Sequence, residues 1–246
     1  MEETRMDQTN SYNSLIFGVV LAFGLSTCGY FVGQTMYNAK AGVNTAEAKG
    51  LSEKRVKADK ANWTLVFKIN GNKDANIPNL YQQAEKDQET IINLLKEAGF
   101  DAKEISAGVI DYTRQEFRNK DNALVDEKHS LVGSIDIETD KVDLVSQVRA
   151  QVNKLIAKGL DLENRSPRYS FTKLNEIKPA MVKEAVQNAR LAAEEFASNA
   201  GVRVGHIESA RQGGFIIRDA GAEYGDSQKI EKDVRIVTTI TFYLTN

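Results

Sequence analysis

Apolar residues occur along this chain in one long uninterrupted stretch near the N-terminus and in shorter periodic patterns after it. As an α-helix, Leu15–Gly33 would span about 28 Å at about 1.5 Å per residue. That length nearly matches a membrane hydrocarbon core of about 30 Å. Positions 8–39 carry no charge, and two tyrosines lie near one end of the stretch, where aromatic rings favour the membrane interface. The pattern therefore predicts one transmembrane helix over residues 15–37.

Two other N-terminal signals fit less well. The apolar region of a cleaved signal peptide is about 7–15 residues long and follows a basic start, whereas this stretch is longer and follows an acidic one. Ala39-Lys40-Ala41 is only a weak match to a cleavage site. A lipoprotein would carry its lipid on Cys28, but Leu25-Ser26-Thr27 lacks the small residue expected before that cysteine, and the chain stays apolar after it. An uncleaved anchor fits best.

The charges beside the anchor predict one orientation, although weakly. Arg5 is the one basic residue before it, whereas several lysines and Arg55 follow it. The positive-inside bias would place the rest of the chain in the cytoplasm, but large domains translocate largely regardless of charge. Small residues also recur every fourth position, at Gly18, Ala22 and Ser26. That spacing allows two helices to approach closely in lipid, and it is also common in membrane helices that do not pair.

Beyond the anchor, alternating and 3.6-residue patterns predict strands and helices. The predicted strands are Gly50–Asp59, Ala61–Ile69, Ile105–Phe117, His129–Glu138, Pro167–Phe171, Val202–Ile217 and Lys232–Leu244. The predicted helices are Leu80–Ala98, Lys141–Lys158 and Lys178–Ala200, the last with Pro179 in its first turn. Its predicted buried stripe is Val182, Ala185, Val186, Ala189, Ala192, Ala193, Phe196 and Ala200. Two polar stretches, Arg118–Lys128 and Asp219–Lys229, are predicted to be mobile connections.

The three helices share one kind of ending, in which a glycine is followed by an apolar residue and then a strand; the glycines are Gly99, Gly159 and Gly201. Such junctions predict repeated strand–helix units, hence an α+β fold with helices packed on a largely antiparallel sheet. The predicted organisation is a tail at 1–14, the anchor at 15–37, a linker at 38–49 and one domain at 50–246.

Composition narrows the functional classes. The net charge is −2 and no basic block occurs, which disfavours a nucleic-acid-binding protein. The one cysteine lies in the anchor, so the domain has no disulfide and no thiol nucleophile. His129 and His206 each lie in a strand pattern without a second ligand at metal spacing. No phosphate-binding loop or nucleophile elbow occurs, and the acidic pair Glu194-Glu195 is typical of a solvated helix face. We therefore predict no catalytic residue, metal ligand or cofactor.

One segment matches a known family. Lys49–Phe67 resembles the opening of the SIMPL-domain family, DUF541, and the alanine-rich helix and the valine-rich last strand are similar to later parts of that family. The matching residues of the first motif are Gly50, Glu53, Val56, Asp59, Ala61 and Trp63. The resemblance extends from about Thr45 to the C-terminus. At Thr45–Ala48 the family has more β-branched apolar residues than this chain.

The resemblance implies a bacterial envelope protein, usually periplasmic, with an α+β domain, a tendency to form homo-oligomers and no established catalytic residues. It outweighs the charge bias, so the domain is expected on the periplasmic or extracytoplasmic side of the inner membrane. Two functional hypotheses follow. The first is a non-enzymatic, self-assembling protein of envelope maintenance or stress response. The second is a binding module for a small ligand or an envelope protein, with residues 118–128 and 219–229 at its rim.

Overall fold

The structure is a computed structural model that describes residues 3–41 and 44–245, with side chains for 15–37 and 44–245. Its helices are α1 (Glu3–Ala41), α2 (Ile77–Glu97), α3 (Val142–Ala157) and α4 (Leu174–Asn199). Its strands are β1 (Thr45–Lys57), β2 (Lys60–Gly71), β3 (Ile105–Ala107), β4 (Asp111–Arg118), β5 (Leu124–Thr139), β6 (Asp161–Asn164), β7 (Arg168–Ser170), β8 (Arg203–Gln212), β9 (Ile216–Asp219) and β10 (Glu231–Thr245). A short 3-10 turn, Ala102–Glu104, precedes β3.

The strands form two sheets. One has the order β1-β10-β8, with β9 also paired to β10; the other has the order β3-β5-β2-β6, with β4 paired to β5 and β7 to β2. The ladders whose register is described are antiparallel. The predicted α+β fold with a largely antiparallel sheet is confirmed.

The chain divides into two compact units; three of the divisions fall inside β1, α4 and β10, and the fourth lies between β8 and β9. The smaller unit comprises Met1–Gly50, Ala185–Gly213 and Thr238–Asn246; the larger comprises Leu51–Glu184 and Gly214–Val237. Residues 45–49, which the sequence placed in the linker, lie in β1. Most of the predicted N-terminal tail lies in α1, while residues 1–2 and 42–43 are outside the described residues.

Helix α1 contains the predicted anchor. Leu15–Tyr37 has a mean hydropathy of 2.1, and none of it is buried against the rest of the protein. Large apolar side chains such as Phe23 are as much as 76% exposed. The segment is long and apolar enough to cross a bilayer, although a signal sequence would meet the same two criteria.

The core of the larger unit lies between one face of its six-stranded sheet and helices α2 and α3. The predicted alternation in β2 is confirmed, since Trp63, Leu65 and Phe67 are buried while Thr64 and Lys68 are not. Because side chains alternate along a strand, the even-numbered residues of β2 face away from the helices. That second face carries the cleft described below.

The three predicted glycine junctions are confirmed. Gly99, Gly159 and Gly201 have φ values of +108°, +100° and +73°. In each case the next N–H donates to the carbonyl five residues earlier: Phe100 to Leu95 at 3.1 Å, Leu160 to Leu155 at 3.2 Å and Val202 to Ala197 at 2.9 Å. This is the Schellman ending, in which a left-handed residue turns the chain out of the helix.

Helix α4 departs from its prediction at its start and on its buried face. It begins at Leu174, so Pro179 lies inside the helix and not in its first turn. The buried stripe is Met181, Ala185, Ala189, Ala193 and Ala197. Of the predicted stripe, Val186, Ala192, Phe196 and Ala200 are exposed. Residues at four-residue spacing share one helix face, and small alanines on that face allow the helix to lie close to a strand.

The stretch Arg118–Lys128, predicted as a mobile connection, is mostly strand. Strands β4 and β5 extend as a hairpin around a short turn, where Asn119 N–H donates to the Ala123 carbonyl at 2.9 Å. Asn122 supplies the positive φ of the turn, +61°. The sequence prediction was wrong because residues 124–128 are exposed or half-buried on both faces of the strand, so they lack the apolar alternation that marks a half-buried strand.

Candidate functional site

The larger unit contains a polar cleft of about 640 Å³, here called the arginine cleft. Strand β2 contributes Asn62 and Thr64 to its lining. Strand β7 and the residues before it contribute Arg165, Arg168 and Ser170. The charged and hydroxyl-bearing side chains of these residues give the cleft a hydrophilic interior.

The register of β7 on β2 sets which side chains face this cleft. Asn62 lies opposite Arg168, and Lys60 lies opposite Ser170. Between them Tyr169 is buried among the core residues, and this burial raises the pKa of its phenol. Because neighbouring side chains alternate, the burial of Tyr169 directs Arg168 and Ser170 to the same face as Asn62.

Arg168 differs from the other arginine of the cleft in its partners. Arg165 Nε donates to Glu163 Oε1 at 3.0 Å. The Arg168 side chain forms no hydrogen bond or ion pair with any residue that the structure describes. Thr64 Oγ1 donates to Asp136 Oδ1 at 2.6 Å. The Asp136 carboxylate therefore already has a hydrogen-bond partner. Arg168 is thus a cation at the cleft without a protein counter-ion.

The loop between β9 and β10 forms a further wall of the cleft through Asp226 and Ser227. A buried ion pair, here called the clasp, holds this loop: Lys232 is 0% exposed, and its Nζ lies 2.5 Å from Asp219 Oδ1. The same ammonium donates to the Asp226 carbonyl at 2.6 Å. The Ser227 carbonyl accepts the Tyr169 N–H at 2.8 Å. The stretch predicted as a mobile rim is therefore fixed at both of its cleft-lining residues.

The clasp carboxylate has more than one donor. The backbone N–H groups of Gln228 and Lys229 donate to Asp219 at 2.9 and 3.1 Å. Burial favours the neutral carboxyl and acts to raise its pKa, but the Lys232 ammonium and these two N–H groups outweigh it. The net result is that the pKa of Asp219 lies below its ordinary value of 3.8.

This lowered pKa predicts an acid-dependent loss of stability. A carboxylate with a lowered folded-state pKa stabilises the fold at pH values above its ordinary value of 3.8. That stabilisation is lost as the pH falls through the folded pKa. We expect urea unfolding of the wild type and of Asp219→Asn to differ most near neutral pH and to converge below pH 3.8. A difference that grew on acidification would contradict the ionised clasp.

A second group of titratable side chains surrounds His129, which is 6% exposed. The Tyr112 hydroxyl lies 2.9 Å from His129 Nδ1, and Glu127 Oε1 lies 3.5 Å from Nε2. Arg114 Nε lies 3.3 Å from the same Glu127 oxygen. Both ring nitrogens therefore face protein groups, which suits a structural histidine in a strand better than a free catalytic base.

His129 also borders a smaller polar cleft of about 530 Å³, to which Asp126 and Lys128 of the predicted rim 118–128 contribute. His206, in the smaller unit, contacts the Tyr243 ring with centroids 4.6 Å apart. Glu194 of the predicted solvated pair forms an ion pair with Arg190 at 2.8 Å. Among the residues described, no group of three or more His, Cys, Asp or Glu side chains could hold a metal ion.

The sequence did not single out the arginine cleft. The outward direction of Asn62 and Thr64 was available from the alternation in β2, but their neighbours were not. Arg168 reaches Asn62 through strand pairing across more than a hundred positions of the chain, and the proline in the pattern around it indicated only a short strand, at a sheet edge or at a strand start. One feature of the sequence indicated the buried lysine of the clasp: Lys232 lies on the same strand face as the apolar residues Val234 and Ile236.

Comparison with known proteins places the chain in a family. No curated protein matches it significantly. The profile of the SIMPL family, described as a protein of unknown function (DUF541), matches residues 47–242. This match covers most of the chain and includes the motif around Gly50 and Trp63 on which the resemblance rested. The chain therefore belongs to the SIMPL (DUF541) family.

Proposed function

We propose that this protein is a non-enzymatic, membrane-anchored binding module that takes a small hydrophilic ligand in the arginine cleft. The observation that carries this proposal is a concave polar site whose loop wall is fixed by the buried clasp of Lys232 and Asp219. Its volume of about 640 Å³ falls in the range of about 300–1,000 Å³ that is typical of small-molecule sites.

The polarity of the lining supports a hydrophilic ligand. Small-molecule sites are mostly lined by apolar and aromatic side chains, whereas this cleft exposes hydroxyl, amide and guanidinium groups, and its one aromatic residue, Tyr169, is buried. A ligand rich in hydrogen-bonding groups would replace the water that these side chains bind. An apolar ligand would leave them unpaired at a cost of about 1–3 kcal/mol each.

Binding is tested on the full chain in neutral detergent. Thermal unfolding is measured with glucose, glycine, sodium gluconate and glycerol 3-phosphate, and hits are titrated by calorimetry. Ser170→Trp fills the arginine cleft and is expected to abolish binding. Ser130→Trp, in the smaller cleft, is the matched control and is expected to retain it. The proposal fails if no compound binds, or if Ser170→Trp binds as well as the wild type.

The proposed location is the inner membrane of a bacterium, with α1 as a single-pass anchor and the folded region outside the cytoplasm. The length and hydropathy of α1 support the anchor, and family membership supports the envelope. Orientation is tested with Asn122→Cys in a Cys28→Ser background, since Asn122 lies at an exposed hairpin turn. Labelling of intact, outer-membrane-permeabilised cells by an impermeant thiol reagent is expected. Protection until lysis would place the domain in the cytoplasm.

Self-assembly is a second candidate function, and strand β8 of the smaller unit favours it. Strand β8 is the last strand in the order β1-β10-β8, and within the described chain its outer edge pairs with no strand. Most of its side chains are exposed, including Ile207 at 49%. Unpaired edges are templates for pairing with another chain. Light scattering is expected to show an oligomer that Ile207→Lys dissociates; a monomeric wild type would exclude this candidate.

A further inference from the structure

We infer that the arginine cleft is an anion site, in which Arg168 binds a phosphate, sulfate or carboxylate group of a hydroxylated small molecule. This inference rests on the proposed binding function and adds the chemical class of the ligand. A cleft that is merely polar would also accept neutral sugars and polyols, whereas an anion site prefers a ligand with an anionic group.

The first argument is the unpaired charge. Arg168 is exposed at the cleft, and no described carboxylate lies within ion-pair distance of its guanidinium. A guanidinium presents a planar fork of donors that matches the oxygens of carboxylate and phosphate groups. Hydrogen bonds between such charged partners are roughly twice as strong as neutral ones.

The second argument is the set of donors that surround this charge. Asn62 lies directly opposite Arg168 in the strand register, and its amide is a donor. Three serines, Ser166, Ser170 and Ser227, also line the cleft; the Ser166 hydroxyl accepts a hydrogen bond from Arg149 Nη2 at 3.3 Å and can still donate one. Arg165 adds a second guanidinium; its ion pair uses Nε, which leaves its terminal nitrogens for a ligand. An oxyanion needs several donors from different elements, and these come from β2, the segment between β6 and β7, β7 itself and the β9–β10 loop.

The third argument is the balance of charge in the lining. It contains two arginines and one acidic residue, Asp226. The Asp226 backbone carbonyl is bound by Lys232, and no described residue bonds its carboxylate. A carboxylate accepts hydrogen bonds and repels anions, so this end of the cleft suits a hydroxyl or amino group of the ligand. The lining thus fits a molecule with one anionic group and further donors more closely than a compact polyanion.

The test is calorimetric titration of the full chain in neutral detergent with glycerol 3-phosphate, sodium gluconate and glucose, at fixed ionic strength. The two anions are expected to bind more tightly than glucose.

Arg168→Gln is expected to weaken anion binding about 10- to 100-fold, which corresponds to the loss of one charge-assisted hydrogen-bonding group. Arg168→Lys is expected to recover part of the affinity, and Arg165→Gln to give a smaller loss. Arg235→Gln, at an exposed arginine on β10, is the matched control and should not change affinity.

A lipid headgroup and a soluble metabolite could present the same anion, so vesicles of phosphatidylcholine with and without phosphatidylglycerol are added as a competitor. Loss of glycerol 3-phosphate binding in the presence of anionic vesicles would identify a lipid source, and unchanged binding a soluble one. Either result retains the anion site.

The anion inference would be overturned, while the binding function stood, by one pattern of results. In that pattern glucose binds as tightly as the anions, Arg168→Gln does not change its affinity, and Ser170→Trp abolishes its binding. Absence of binding by every compound would overturn both.

Discussion

Substitution of Lys232 by methionine is expected to lower the free energy of unfolding by about 3–5 kcal/mol, because it leaves the buried Asp219 carboxylate without its counter-ion. Lys232 is 0% exposed and Asp219 is 5% exposed, so water cannot replace the lost ammonium. The Asp226 carbonyl loses its donor as well. The β9–β10 loop should therefore loosen in the fraction that remains folded, and the arginine cleft should lose affinity for any ligand.

Urea unfolding followed by tryptophan fluorescence measures this effect. Trp63 is the one tryptophan of the chain, and it is 1% exposed in the core of the larger unit. Arg55→Met is the matched control. Arg55 also contacts an aspartate, Asp233, at 2.8 Å, but its side chain is 62% exposed.

Because Arg55 is largely exposed and Asp233 keeps the Gly221 N–H as a donor at 3.0 Å, the Arg55→Met control should change stability much less than Lys232→Met. An equal loss of unfolding free energy in Lys232→Met and Arg55→Met would show that burial of the clasp does not govern how strongly it stabilises the fold. Replacement of both clasp residues by apolar ones is not expected to restore stability in full. The N–H groups of Gln228 and Lys229 would then lose their acceptor.

Substitution of Gly50 by alanine is expected to destabilise the smaller unit by about 3 kcal/mol, at the upper end of the usual cost of overpacking. A Cβ at Gly50 would lie 1.8 Å from the Ala185 carbonyl oxygen and 2.4 Å from the Ala189 nitrogen. Both are backbone atoms of α4, so no side-chain rotation can relieve the clash. The helix would have to move away from β1, which would separate Ala189 and Ala193 from the apolar cluster of Ile240 and Phe242.

Thermal unfolding by circular dichroism and hydrogen exchange along α4 measure this effect. Gly214→Ala is the matched control, since a Cβ there would meet nothing within 4 Å. We expect faster exchange over residues 185–197 in Gly50→Ala and wild-type behaviour in the control. A Gly50→Ala protein with unchanged melting and exchange would show that β1 and α4 are not held at this distance in solution.

Features that depend on neighbouring residues in the chain could be predicted from the sequence. The alternation of Trp63, Leu65 and Phe67 identified β2, because burial on one face of a strand repeats every second residue. The ends of α2, α3 and α4 were predicted from their glycines, because a left-handed φ is a local requirement that glycine meets without strain. The apolar stretch at residues 15–37 was sufficient to predict a helix of membrane-spanning length, because the length of an uninterrupted apolar segment is read directly along the chain.

Other features depended on which segments the fold brings together. The tip of the β4–β5 hairpin has no core face, so no periodic pattern identified residues 124–128 as strand, although the rest of both strands lay in predicted strands; cross-strand pairing extends β5 to the tip. The predicted buried stripe of α4 included Ala185, Ala189 and Ala193, which are buried, but also larger side chains such as Phe196, which are exposed. The close approach of β1 at Gly50 selects the alanine face instead, and nothing within the helix sequence specifies that distance.

The sequence by itself determined the terminal apolar helix and the α+β type, because both follow from spacing over a few residues, and it identified the family through the resemblance of the motif around Gly50 and Trp63. Tertiary structure alone decided the arginine cleft and its clasp. Strand pairing places Arg168 opposite Asn62. The closure of the β9–β10 loop brings Lys232 into an ion pair with Asp219. An ion pair can be buried only where its partners and the backbone groups around them converge, and that convergence is a property of the folded chain.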